Sequence, residues 1–154
     1  MSILEQLKFK NKITVKLNNA QTGQCISTTT MPNIVTNSGK QLTLDALGGI
    51  ASRYIKHCAV GHSGGTASAG SVLLVCELTR NAPVYTRAAE IGTFSAFFNA
   101  AQANSGQIKE IAFFGGTSSF TSTNTGTMFN RILLTSGITK TANYTLTIDL
   151  DIGF

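Results

Sequence analysis

The segment running from Tyr144 to Ile152, Tyr-Thr-Leu-Thr-Ile-Asp-Leu-Asp-Ile, constrains this chain more than any other. Leu146, Ile148, Leu150 and Ile152 fall on one face of an extended backbone, and Thr145, Thr147, Asp149 and Asp151 on the other. Side chains alternate across a strand with a period of two, so the pattern predicts a half-buried antiparallel strand. Two more apolar runs, over 107–114 and 126–134, precede it, with loops of Gly, Ser, Thr and Asn between them. The chain ends two residues after the last alternation, which reads as a structural or binding module rather than an enzyme.

Earlier segments repeat the theme. Lys12 to Leu17 alternates, 18–23 is a turn ending in Gly23, and 24–30 returns as a second strand, which together predict a hairpin. Thr36, Asn37 and Ser38 supply helix-capping side chains ahead of Leu42, Leu44, Ala46 and Leu47, and Gly48-Gly49 follows, so one helix is expected over 38–47. Residues 53–60, 83–87 and 91–99 read as strands, for about eight in all. The apolar run within 71–78 fits either a helical turn or a buried strand. The expected fold is mainly β, an antiparallel β-sandwich with one or two short helices. It divides into an N-terminal arm or short helix over 1–9 and a single β-sandwich domain over 10–154. The arm, with Ile3, Leu4 and Leu7 at helical spacing, is too short to be stable alone and must dock on something.

Only 12% of the 154 residues are charged, and 21 threonines carry much of the polarity. So few charges are hard to reconcile with an uncovered surface, and strand edges also need pairing, so a homo-oligomer is expected. The net charge of +5 is an N-terminal excess. Residues 1–60 hold Lys8, Lys10, Lys12, Lys16, Lys40, Arg53 and Lys56 against Glu5 and Asp45, whereas the remainder balances. Lys8, Lys10, Lys12 and Lys16 are candidates for contact with an acidic neighbour, against the plainer reading of a solvated strand face. Without an Arg-rich helix or interleaved aromatics, direct nucleic-acid binding is not expected. No run approaches the length of a membrane span, and residues 1–10 lack the apolar core of a signal peptide, so the chain reads as made in a cytoplasm without membrane insertion.

Candidate chemistry is thin. Gly61-His-Ser-Gly-Gly65 matches the G-x-S-x-G turn, yet no histidine follows Ser63 to complete a triad, so a connecting loop is expected over an esterase. Cys25, Cys58 and Cys76 lack metal-ligand or disulfide-framework spacing, and His57 and Cys58 would point to opposite faces of a strand. No catalytic residue, cofactor or metal is assigned. Glu77 and Arg80, three apart, would pair on one face if helical; the alternative is a charged contact between subunits. Phe97 falls on the polar face of its strand, as does one of Phe113 and Phe114, and an exposed aromatic there suits contact with another subunit.

The order of several segments carries a further signal. Asn33 to Leu42 with Leu47-Gly48-Gly49, Ile55 to Gly61 with its Gly/Ser/Thr loop, Glu77-Leu-Thr-Arg80, Ile108 to Phe114, 126–134 and Thr139 to Ile148 run in a series of some 120 residues. This series resembles small tailed-bacteriophage virion proteins and tail-fibre, baseplate or tail-tip-associated modules. The resemblance implies a β-rich, non-enzymatic, oligomeric virion component, made in the host bacterial cytoplasm. Its partners would be copies of itself, a trimer among the states, other virion proteins and a host surface glycan. Capsid decoration and a carbohydrate-binding module are the alternatives. The segment 1–16 is the expected docking arm, and 116–126 an exposed, mobile, outward-facing loop.

Overall fold

The computed structural model describes residues 10–118 and 121–153. The expected arm over 1–9, with Lys8, lies outside the described residues. Among the described residues, ten strands form two five-stranded sheets in which every pairing is antiparallel, and one helix packs beside them. In chain order they are β1 (Lys10–Asn19), β2 (Cys25–Pro32), β3 (Ile34–Val35), α1 (Asn37–Leu47), β4 (Ile55–Gly61), β5 (Glu77–Asn81), β6 (Val84–Ala88), β7 (Ile91–Phe98), β8 (Gln107–Gly115), β9 (Thr127–Thr139) and β10 (Tyr144–Gly153). The first sheet runs β2-β1-β10-β7-β6, and the second β3-β9-β8-β4-β5. The mainly β sandwich read from the sequence is the fold of the chain.

The alternation of β10 is used as its pattern demands. Leu146, Ile148 and Leu150 are fully buried, and register places them beside Leu17, Val15 and Ile13 of β1 and Phe98, Ala96 and Phe94 of β7. Across the sandwich Cys58, Val60, Ile108, Ile111, Phe113 and Ile132 close the same core. Burying side chains of this size stabilises by roughly 1.5–3 kcal/mol each, before conformational entropy is set against it.

The second sheet is buried on both sides. Its outer face carries Ala59, Ala112, Phe114 and Met128, over which the β4–β5 loop lays Leu74. Both Phe113 and Phe114 are therefore fully buried, one on each face, which corrects the expectation that one would be exposed. A bulge separates them in the β8–β9 ladder, and the Asn130 side chain accepts the Phe113 N–H at 2.8 Å. The run 72–75 is neither a helical turn nor a buried strand: Val72, Leu73 and Val75 are exposed around the single buried Leu74.

Thr36 caps α1 and fixes it to the second sheet. Its hydroxyl accepts the Gly39 N–H at 2.9 Å, and its oxygen also lies 2.6 Å from the Met128 carbonyl, to which it donates. Gly39 faces the Phe129 backbone so closely that any side chain would overlap it. Gly49, at φ +76°, takes the left-handed conformation that ends the helical turn.

Candidate functional site

The first sheet presents a polar outer face, and β2 and β6 form its edges. The outward row of β1 is Lys12, Thr14 and Lys16, opposite Asp151, Asp149 and Thr147 of β10. Lys12 lies 3.6 Å from Asp151 and Lys16 3.3 Å from Asp149. The same carboxylates accept from the hydroxyls of Thr93 and Ser95 of β7, each at 2.6 Å. Two of the candidate lysines are thus engaged within the sheet, and Lys10 stands exposed at its end. These ion pairs are exposed, so they set the register of the face more than its stability. Phe97 is 53% exposed on this face, where the sequence pattern puts it.

At one edge, β2 is exposed at seven of its eight residues, with Met31 half-buried. It contains no charged residue, and its proline is the last position, Pro32. At the other edge every residue of β6 is exposed, including Val84 and Tyr85 at 66% and 55%. Of the two strands, β2 meets the second sheet at Met31, which packs on the core and borders Ile132 and Leu133 of β9. The second sheet's own edges are shorter: β3 has two residues, and β5 has five, with a buried ion pair. An unpaired strand presents a row of backbone donors and acceptors, and folded proteins usually blunt such edges with charge, proline or bulges. β2 has no charge, and its devices are an irregularity at Ile26, between the Leu17–Ser27 and Asn18–Cys25 pairs, and Pro32 at its end. The missing charge was visible in the sequence, but exposure of β2 on both faces was not, since it depends on where the second sheet stops.

Glu77 and Arg80 are not on a helix. They lie on β5, with side chains 0% and 3% exposed, and form a bidentate pair on the outer face of the second sheet. Burial removes them from the role of an exposed subunit contact. Arg80 also lies 4.9 Å over the Phe114 ring and donates to Ser118 Oγ at 2.8 Å and to the Thr125 carbonyl at 3.1 Å. Asn124 N–H donates to Glu77 Oε2 at 2.6 Å, and Asn124 Oδ1 accepts from Leu74 N–H at 3.2 Å. The 116–126 segment, expected as a mobile outward loop, is exposed at 121–124 yet tied at both sides to this pair.

Ser118 Oγ meets His57 Nδ1 at 2.6 Å. Arg80 donates to the same oxygen, so Ser118 joins the imidazole to the Arg80–Glu77 pair, and the direction of its bond to the ring follows the His57 tautomer. Burial, then the nearby Arg80 and Lys56 charges, hold the His57 pKa below its ordinary value, and Glu77 pulls the other way. A second tie repeats the design: Glu110, fully buried, accepts from Arg131 at 2.9 Å and from the N–H groups of Val75 and Cys76, while Arg131 reaches the Thr66 carbonyl. Both ion pairs hold the long loops over the sheet. Sequence spacing missed His57–Ser118 and Glu110–Arg131 because each joins residues from different strands or loops.

Ser63 sits in an exposed loop, its hydroxyl donating to the Gly64 carbonyl, and the His62 ring meets the Gln107 carbonyl. Cys58 is buried, and burial pushes its thiol pKa well up; Cys25 and Cys76 are exposed. Among the described residues, no three of His, Cys, Asp and Glu gather to hold a metal ion, and no helix is long and apolar enough to cross a membrane. Comparison with models of protein families, with curated proteins and with solved structures finds no match to this chain.

Proposed function

We propose that the chain is a non-enzymatic structural subunit of a bacteriophage particle, of the tail, baseplate or fibre-associated kind, that assembles with copies of itself and serves host attachment. The observation that carries the assembly reading is β2, an eight-residue edge strand free of charge and exposed at every residue but Met31. The other edge of the same sheet, β6, is equally bare. Head-to-tail pairing of β2 on β6 of the next copy covers both edges at once, and such heterologous contacts make a ring, a trimer among them, where the rotation closes, and an open filament where it does not. A two-fold contact between β2 strands leaves β6 uncovered. The low charge content supports the same reading, since ring formation removes surface from water. The ordered series of segments that resembles tailed-phage virion modules supports the particle.

Immunogold electron microscopy of intact particles, with antibody to this chain, tests the reading. Label at the tail end is the expected result. Label over the head replaces it with capsid decoration, and a protein abundant in the lysate but absent from particles overturns it.

A further inference from the structure

The loop between β4 and β5 closes on itself and holds three aliphatic side chains out in water. Its neck is the bond from the His62 N–H to the Cys76 carbonyl at 3.1 Å. Gly61 permits that approach, since a Cβ there would overlap the same carbonyl oxygen. Beyond the neck the backbone is tied down repeatedly. The Thr66 carbonyl accepts from Arg131, and the Ala69 carbonyl accepts the Asn37 N–H at 2.7 Å. Leu74 N–H donates to Asn124 Oδ1, and the N–H groups of Val75 and Cys76 donate to the buried Glu110 carboxylate at 3.2 and 2.9 Å. Leu74 is the one buried residue of 72–76 and joins the cluster of Phe114 and Met128. Around it Val72, Leu73 and Val75 are 63%, 45% and 61% exposed. One exposed aliphatic side chain needs no explanation, but three within four consecutive positions, on a backbone fixed by hydrogen bonds, form a patch.

We propose that this tip, Val72, Leu73 and Val75, enters the interface of a lipid bilayer, as a peripheral contact and not a span. Three observations select lipid over a protein surface. Residues 62–76 contain no Asp, Glu, Lys or Arg, so entry strands no formal charge. The N–H groups of Leu74, Val75 and Cys76 are already paired within the protein, as backbone beside hydrocarbon requires. The exposed side chains are aliphatic, whereas the anchors of protein interfaces are enriched in Trp, Tyr and Arg and poor in Leu and Val. The tip is smaller than a myristoyl chain, whose membrane binding is itself marginal and reversible, so one copy binds weakly and several copies on one particle bind by avidity. The whole tip lies within one chain, so this inference holds or fails apart from the assembly reading.

The chain has no tryptophan, so Leu73→Trp in the full chain is a single reporter at the tip. Phosphatidylcholine vesicles serve as the probe, because neutral lipid removes the attraction between anionic headgroups and the chain's net charge of +5. The expected result is a blue shift of the emission and its quenching by brominated acyl chains. Adding Val72→Asp/Val75→Asp, both at exposed positions, should abolish the two signals and leave the mass in solution unchanged. The unaltered chain should also sediment with the vesicles to a greater extent than Leu73→Asp does. Emission unmoved by lipid, signals that survive the two aspartates, or equal sedimentation overturns the proposal. A lower mass in solution for the aspartate variant overturns it too, and assigns the tip to contact between copies.

Discussion

Arg80 grips Glu77 with two parallel hydrogen bonds, Nε to Oε1 at 2.6 Å and Nη2 to Oε2 at 2.7 Å, beneath a loop more than thirty residues further along the chain. A buried bidentate pair is stable only as a pair: removing one partner strands the other charge without water. Glu77→Ala should therefore cost about 3–5 kcal/mol and free the 116–126 segment to proteolysis. Urea denaturation and limited trypsinolysis measure the two effects. A loss below about 1 kcal/mol, the range of exposed pairs, would show that the pair is solvated.

His57 makes the same region pH-sensitive. Its folded pKa lies below the ordinary value of 6.5, so the unfolded chain takes up a proton first as pH falls. Its contribution to stability is full above about pH 6.5 and declines as pH drops through the folded value. The groups facing the ring are Arg80, Lys56, Glu77 and Ser118. Urea midpoints between pH 7.5 and 5 should fall more steeply for the unaltered protein than for His57→Gln, which keeps an acceptor for Ser118 but does not titrate. Parallel slopes would remove His57 from the account.

The thiols divide by burial. Cys25 and Cys76 are exposed and should react with iodoacetamide in the native protein, whereas Cys58, buried and held as the thiol, should react only on unfolding. Peptide mapping after a timed pulse reads this directly. Native labelling of Cys58 at the rate of Cys25 would contradict the packing of β4.

Gly39 sets how closely α1 approaches β9. A methyl group there would fall on the Phe129 backbone. Gly39→Ala should lose at least the ~1–3 kcal/mol of an overpacked core despite its better helix propensity. Thermal melts of the two proteins decide it, and a gain in stability would mean that the helix can move away from the sheet.

Where the pattern was local, the sequence was legible. The two-residue period placed Leu146, Ile148 and Leu150 in the core, and Thr36 before a helical spacing marked the cap of α1. The hairpin of β1 and β2 and the exposure of Phe97 followed from the same alternation. The short strands β3 and β5 were not legible, because two and five residues carry too little periodicity. Phe114 was misread as a candidate for exposure, and the Glu77–Arg80 pairing, expected on a helix, forms instead on a buried strand face, for one reason. Their face of the second sheet is covered by loops, and a loop's docking leaves no period in the strand beneath it. The two edges depend equally on placement, since only the assembled sandwich shows that β2, apart from Met31, and all of β6 are left exposed.

The central claim is that these edges pair between copies, and the direct measurement is mass in solution by light scattering coupled to gel filtration. The chain is 16.3 kDa. The unaltered protein should elute at a whole multiple of that mass, three for a trimeric ring. Ser27→Lys/Thr29→Lys, which puts two charges at exposed positions on the inner side of β2, should elute as a folded single chain. An unaltered protein that stays at 16.3 kDa at high concentration, or a variant that keeps the full assembly, would contradict the account.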